Sequence, residues 1–157
     1  MKKTISMLSA LILTAALALP VSAAAEDKGA VITTEIQPTY LVTIPADIQV
    51  AFNTEQTDFG AVTLDKAQIE PDAAVKVTLN SDNKLKHKKD ATKTLAYTIY
   101  SGKAGAADTV FQNATYTTAG EKTDLTIGIT KSDWAKAYAG EYSNTVTFTI
   151  EYIYPTN

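Results

Sequence analysis

A chain of 157 residues, 45% hydrophobic and 20% charged, has the material for one domain with a real core, and its lack of cysteine excludes disulfide and thiolate chemistry. Its 14 basic residues, all lysine, stand against 17 acids for a formal charge of −3. Without the guanidinium fork, a mildly acidic chain is poorly equipped to hold phosphates, so nucleic acid is not an expected partner.

The chain opens on Lys2 and Lys3, an uncharged apolar run from Ile5 to Leu19, and then Pro20-Val21-Ser22-Ala23. This is the pattern of a secretory signal peptide. Val21 and Ala23 stand three and one before a cut after Ala23, and a cut after Ala25 fits almost as well. The apolar run is shorter than the roughly 20 residues a bilayer core requires, so the membrane is met only through the signal during export. Residues 1–23 are therefore assigned to the signal, 24–30 to a flexible leader and 31–157 to the folded domain. Removing Lys2 and Lys3, with no acid, takes the formal charge from −3 to −5. The short Lys-rich start fits a bacterial export signal, which implies a secreted or cell-envelope protein.

From residue 31 onward the dominant hydrophobic period is two, the mark of half-buried strands. "TYLVTIP" places Tyr40, Val42 and Ile44 on one face, and "DIQVAF" does so with Ile48, Val50 and Phe52. "AAVKVTLN" alternates Val75, Val77 and Leu79 against Lys76 and Thr78. "LAYTIY" and "DLTIGIT" repeat the device with Leu95, Tyr97, Ile99 and with Leu125, Ile127, Ile129. Between them stand breakers such as Pro45-Ala46-Asp47, Asn80-Ser81-Asp82-Asn83 and Ala139-Gly140, where Gly tolerates positive φ and Asn or Asp bonds its own backbone. "KSDWAKAY" is the one helical candidate, with Ser132 expected as cap and Gly140 as stop. The closing "AGEYSNTVTFTIEYI" puts Tyr142, Val146, Phe148, Ile150 and Tyr152 on one face, interrupted by Asn144, and threonines on the other. Such a strand is expected to close a sandwich with its apolar face and to keep its Thr face in solvent. The predicted fold is all-β, an immunoglobulin-like antiparallel β-sandwich of about seven to nine strands.

"PTYLVTIPADIQV" and the closing strand resemble the first and last strands of small secreted bacterial surface domains. These include cell-wall-associated proteins carrying the Trp-x-Leu type of domain, pilin-like subunits and spore-coat-type secreted sandwiches. The resemblance runs over most of residues 33–153 and implies a sandwich fold and an envelope location. The chain departs from it in that its only tryptophan stands in Trp134-Ala135-Lys136, so the Trp-x-Leu pair is absent, and "EYIYPTN" reads as neither a sorting signal nor an apolar tail.

Candidate chemistry is sparse. His87, the single histidine, lies among Lys84, Lys86, Lys88 and Lys89, neighbours that repel a metal; a solvated loop or strand-edge histidine is the favoured reading. The lysines read as protection of an edge strand, ahead of a patch for anionic wall polymers. Asp58, Asp65, Glu70 and Asp72 have no calcium-loop spacing and read as scattered solvated acids. Trp134, Tyr138, Tyr100, Tyr116 and Tyr154 fall at strand ends or in loops; the first four are the candidate contacts for a sugar or protein, although packing is the commoner use of such residues. "VITTEIQ", residues 31–37, has the makings of a strand added to a neighbouring subunit, with pairing inside its own domain favoured. No cofactor, metal or catalytic residue is assigned. The expected function is that of a non-enzymatic surface protein of structural or adhesion type, with other surface proteins, wall polymers or glycans as partners and oligomers formed by strand addition. The alternative is a carbohydrate-binding module using exposed aromatics.

Overall fold

The computed structural model describes residues 29–155, and the signal-peptide assignment lies outside them. Glu35–Asn157 forms one compact unit. The described residues hold eleven strands and one short helix, two strands more than the upper expectation because the closing run is broken and two-residue bridges form. All pairings are antiparallel, as the alternating pattern requires.

One layer is a five-stranded sheet in the order β1-β2-β9-β6-β7, built from β1 (Thr39–Thr43), β2 (Gln56–Gln68), β9 (Lys122–Gly128), β6 (Thr98–Ser101) and β7 (Thr109–Val110). The other consists of two three-stranded sheets. In one, β3 (Ala74–Asn80) lies between β11 (Thr147–Ile153) and β8 (Asn113–Tyr116); in the other, β4 (Lys84–His87) lies between β10 (Tyr142–Ser143) and β5 (Asp90–Ala96). Between the layers lies a single core. Val62 and Leu64 enter it from β2, Val75 and Val77 from β3, and Leu125 and Ile127 from β9, with Leu95, Ile99, Phe111 and Tyr116 filling it. Burying each large aliphatic side chain contributes about 1.5–3 kcal/mol, so Leu64, Ile99, Leu125 and Ile129 carry much of the stability.

The long strand β2 is absent from the alternation reading, and its bulge explains why. Its register shifts between Asp58 and Gly60, where Gly60 has φ +107°. One extra residue exchanges the faces, so Phe59 points inward by odd number whereas Val62 and Leu64 do so by even number. A period-two scan across the bulge loses its phase.

Residues 48–52, expected as a strand, form none: Ile48 and Phe52 are exposed. Pro45 has no N–H for the ladder, and it packs against Gly60, its Cβ 3.6 Å from where a Gly60 side chain would begin. The chain therefore leaves β2 at Thr43. Residues 29–38 likewise hold no strand, which corrects the expectation that 31–37 pair within their own domain; Val31, Ile32 and Ile36 are exposed.

The helix α1 (Lys131–Lys136) is capped by Thr130, two residues before the expected Ser132. The Asp133 N–H donates to Thr130 Oγ1 at 3.1 Å and the Thr130 hydroxyl donates to Asp133 Oδ2 at 2.6 Å, a reciprocal cap. It ends before Gly140, with the Ala137 N–H bonded to the Trp134 carbonyl.

The closing strand obeys its alternation with one correction. Thr147, Thr149 and Glu151 face solvent as expected, but Phe148 and Tyr152 are only half-buried and Ile150 is exposed. The reason is position: β11 pairs with β3 alone and so forms the edge of its sheet.

Candidate binding groove

Two strand edges of the sandwich pair with no further strand among the described residues. In the first layer, β1 covers β2 only from Thr63 to Gln68. Gln56–Val62 has β9 on one side and no strand on the other, and no backbone hydrogen bond joins it to residues 45–50 among the described residues. In the second layer, the segment from Tyr142 to Ile153 is the edge; its ladder to β4 and β3 breaks at residues 144–146. There Asn144 replaces the ladder with its side chain, donating to the Tyr97 hydroxyl at 2.9 Å and to Asp82 Oδ1 at 2.8 Å, while its own oxygen accepts from the Thr145 N–H at 2.9 Å. The interruption of the apolar face by Asn144 was the one trace of this break in the sequence.

A groove of about 750 Å³ lies between residues 44–52 and residues 140–148. Ile44, Ile48, Val50 and Phe52 form one wall, Tyr142, Val146 and Phe148 the other, and Phe59, Tyr97, Ile127 and Trp134 the floor and end. Ile44, Ile48 and Phe52 are large apolar side chains left in water, in a contiguous arrangement that marks a contact surface more often than scattered exposure does.

The four aromatic candidates do not converge. Tyr116 is a core residue, 3% exposed, whose hydroxyl donates to Thr123 Oγ1 at 2.8 Å, and it is withdrawn as a ligand contact. Burial raises its phenol pKa. Trp134 lines the groove, but its indole N–H donates to the Thr54 carbonyl at 3.0 Å and its ring meets Phe52 edge to face at 5.5 Å. Tyr100 lies on β6 with its ring packed over Gly128. Tyr138 alone is well exposed, and the Lys93 ammonium sits 5.1 Å from its ring centroid. A stacked set, Tyr40 on Tyr152 at 6.1 Å with the loop aromatic Tyr154 edge-on to Tyr152 at 5.6 Å, joins the edges of β1 and β11.

His87 sits against Gly140 and Tyr142. The Lys89 N–H donates to its Nδ1 at 3.1 Å and its Nε2–H donates to the Ala139 carbonyl at 3.2 Å, so both ring nitrogens are engaged by backbone. Tyr142 meets the ring edge to face at 5.0 Å. The lysines around it are paired in part: Lys86 with Asp82 at 3.0 Å and Lys88 with Glu141 at 2.7 Å. Such exposed pairs contribute little to stability.

Asp58 accepts from the Ala104 N–H at 2.7 Å and Asp65 from the Thr43 hydroxyl at 2.5 Å. Among the described residues no three potential metal ligands gather, and no helix is long and apolar enough to cross a membrane.

No protein-family model and no curated protein matches the chain. A chain from a solved structure described as "Chaperone-tip adhesin complex is vital for synergistic activation of CFA/I fimbriae biogenesis" superposes with a TM-score of 0.47 at 15% identity, over 71% of this chain and 41% of that one. The present chain thus spans less than half the length of that neighbour.

Proposed function

We propose that this chain is an exported, non-enzymatic bacterial surface protein of structural or adhesion type, which works through contact with other surface proteins. One observation carries the reading: an apolar groove lies between residues 44–52 and the Tyr142–Phe148 edge, which has no strand on its outer side among the described residues. Open edges of this kind are a liability that proteins otherwise cap, and they are the means by which a partner adds main-chain hydrogen bonds to a sheet. The side chains themselves disfavour the carbohydrate-binding alternative, because Trp134 gives its indole N–H to the Thr54 carbonyl and packs against Phe52, and Tyr116 is enclosed. It also gives an enzyme little to work with, since His87 has both nitrogens bonded to backbone.

The test is fractionation of producing cells with mass spectrometry of the N-terminus. A protein beginning at Ala24 or Glu26 and cleaved by protease added to intact cells is expected. A cytoplasmic chain retaining Met1 overturns the reading. Retention on polysaccharide that is lost in Trp134→Ala or Tyr138→Ala would favour the carbohydrate alternative instead.

A further inference from the structure

We infer that the outer face and turn of the β4–β5 hairpin form a docking surface for a linear polyanion without bases, a glycopolymer whose repeat carries phosphate or carboxylate. The inference rests on reading the chain as an exported surface protein, and it names a partner for lysines that do not line the apolar groove. Residues 84–93 hold five lysines and one acid, a formal charge of +4, whereas the rest of the mature chain sets seven lysines against sixteen acids for −9. A polyanion is repelled by most of such a molecule and drawn to these ten residues.

The strand geometry gathers the charges on one surface. Leu85 and Leu95 pair across the hairpin and pack on the core, so Lys84 and Lys86, on either side of Leu85, point outward. Their cross-strand partners Ala96 and Thr94, and Ser143 on β10, are exposed and uncharged. Lys88 and Lys89 carry the charge on into the turn. Protection of an edge does not account for them, which corrects the expectation from the sequence: β4 lies between β10 and β5, and Lys86 pairs with Ser143 on one side and Thr94 on the other. The acids near the patch hold it weakly. Asp82 meets Lys86 at 3.0 Å and Glu141 meets Lys88 at 2.7 Å, both exposed pairs, while Asp90 accepts from Thr92. Lys84 and Lys89 form no ion pair among the described residues. Lysine acts as a point charge on a flexible stem, so it follows charge density and needs no planar fork. None of Lys84, Lys86, Thr94, Ala96 and Ser143 is aromatic or large and apolar, so the face has nothing on which bases stack and nothing to enter a bilayer surface. A base-free polymer is the polyanion that fits it.

The experiment is calorimetric titration of the mature chain, residues 24–157, with inorganic polyphosphate and, separately, with polygalacturonate. Binding to polyphosphate alone assigns a phosphate-bearing repeat, binding to polygalacturonate alone a carboxylate-bearing one, and binding to both a site that reads charge density. With four lysines engaged at a slope of about −0.7 per charge, affinity should fall about fiftyfold between about 50 mM and about 200 mM salt. Lys84→Gln with Lys89→Gln breaks no ion pair and should weaken low-salt binding about thirtyfold while halving the salt slope. Lys66→Gln with Lys103→Gln removes the same charge from exposed sites elsewhere and should bind as the parent does. All four positions are exposed, so the thermal midpoints should match. No binding to either polymer at low salt, an affinity indifferent to salt, or equal losses in the two double variants each overturns the inference. So does tighter binding to single-stranded DNA or to phosphatidylglycerol vesicles than to either polymer. A chain that reaches the cell surface and binds neither polymer sinks this inference and leaves the proposed function standing, whereas a polymer-binding chain that stays in the cytoplasm does the reverse.

Discussion

Gly140→Ala tests the contact that ties the β4–β5 turn to the segment leading into β10. Gly140 has φ +145°, a conformation that L side chains rarely adopt, and a Cβ built on it falls 2.2 Å from His87 Nε2 and 3.0 Å from His87 Cδ2. Two costs follow. Backbone strain at such a position amounts to about 1–3 kcal/mol. The ring must also move, giving up the bond to the Ala139 carbonyl and straining the one from the Lys89 N–H, for which about 1 kcal/mol is reasonable in a half-exposed setting. The total is about 2–4 kcal/mol, which in a domain of this size lowers the melting temperature on the order of 10 °C. Thermal and urea denaturation of the four corners of a cycle with His87→Ala separate the costs. Without the ring, Gly140→Ala should keep its backbone strain and lose the steric part, so its cost should fall by about 1 kcal/mol. Equal costs in the two backgrounds, or a cost below about 0.5 kcal/mol with the ring present, would show that the imidazole is not seated over Gly140.

The core and the charges give further expectations. Leu125→Ala leaves a cavity at a residue 1% exposed and should cost about 3 kcal/mol in urea unfolding; a loss below 1 kcal/mol would mean that the layers are not packed across β9. Tyr116→Phe removes the hydroxyl that donates to Thr123 and should cost about 1 kcal/mol, with an unchanged circular dichroism spectrum. Acid should destabilise the fold. The Lys86 ammonium holds Asp82 low, the Thr92 hydroxyl holds Asp90 low, the Thr118 N–H holds Glu121 low, and the Lys88 ammonium holds Glu141 low. Their folded pKa values lie below the unfolded ones, so the unfolded chain takes up protons first. The stability they lend is present above the ordinary carboxylate range and is lost as pH falls below about 4. A urea midpoint as high at pH 3 as at pH 7 would contradict this. Lys88 works in the opposite direction: Glu141 raises its pKa above 10.5, and its contribution, present below that value, is lost as pH rises through the folded pKa.

The alternation of Val75 with Val77 and of Leu125 with Ile127 was enough to assign strands, because a period of two is written into adjacent residues, whereas the single run read through Leu95, Tyr97 and Ile99 divides at Tyr97 into β5 and β6, which belong to different sheets. The same local rule failed at β2, where the bulge before Gly60 exchanges the faces, and at residues 48–52, where a perfect alternation has no ladder to join once Pro45 has ended it. It could not tell Tyr116 from Tyr138, two aromatics in similar company, of which one is sealed beneath β2 and the other stands in solvent under Lys93. Nor could it show that the apolar face of the last strand is only half covered. The amino-acid sequence by itself determined the secondary structure type, the turn chemistry and the absence of thiol chemistry, since these depend on residue identity and near neighbours. Strand order, the edges left without a pairing strand and the groove beside the last of them were decided by the tertiary structure, because pairing joins residues far apart in the chain, and no local pattern records which edge is left without a neighbour.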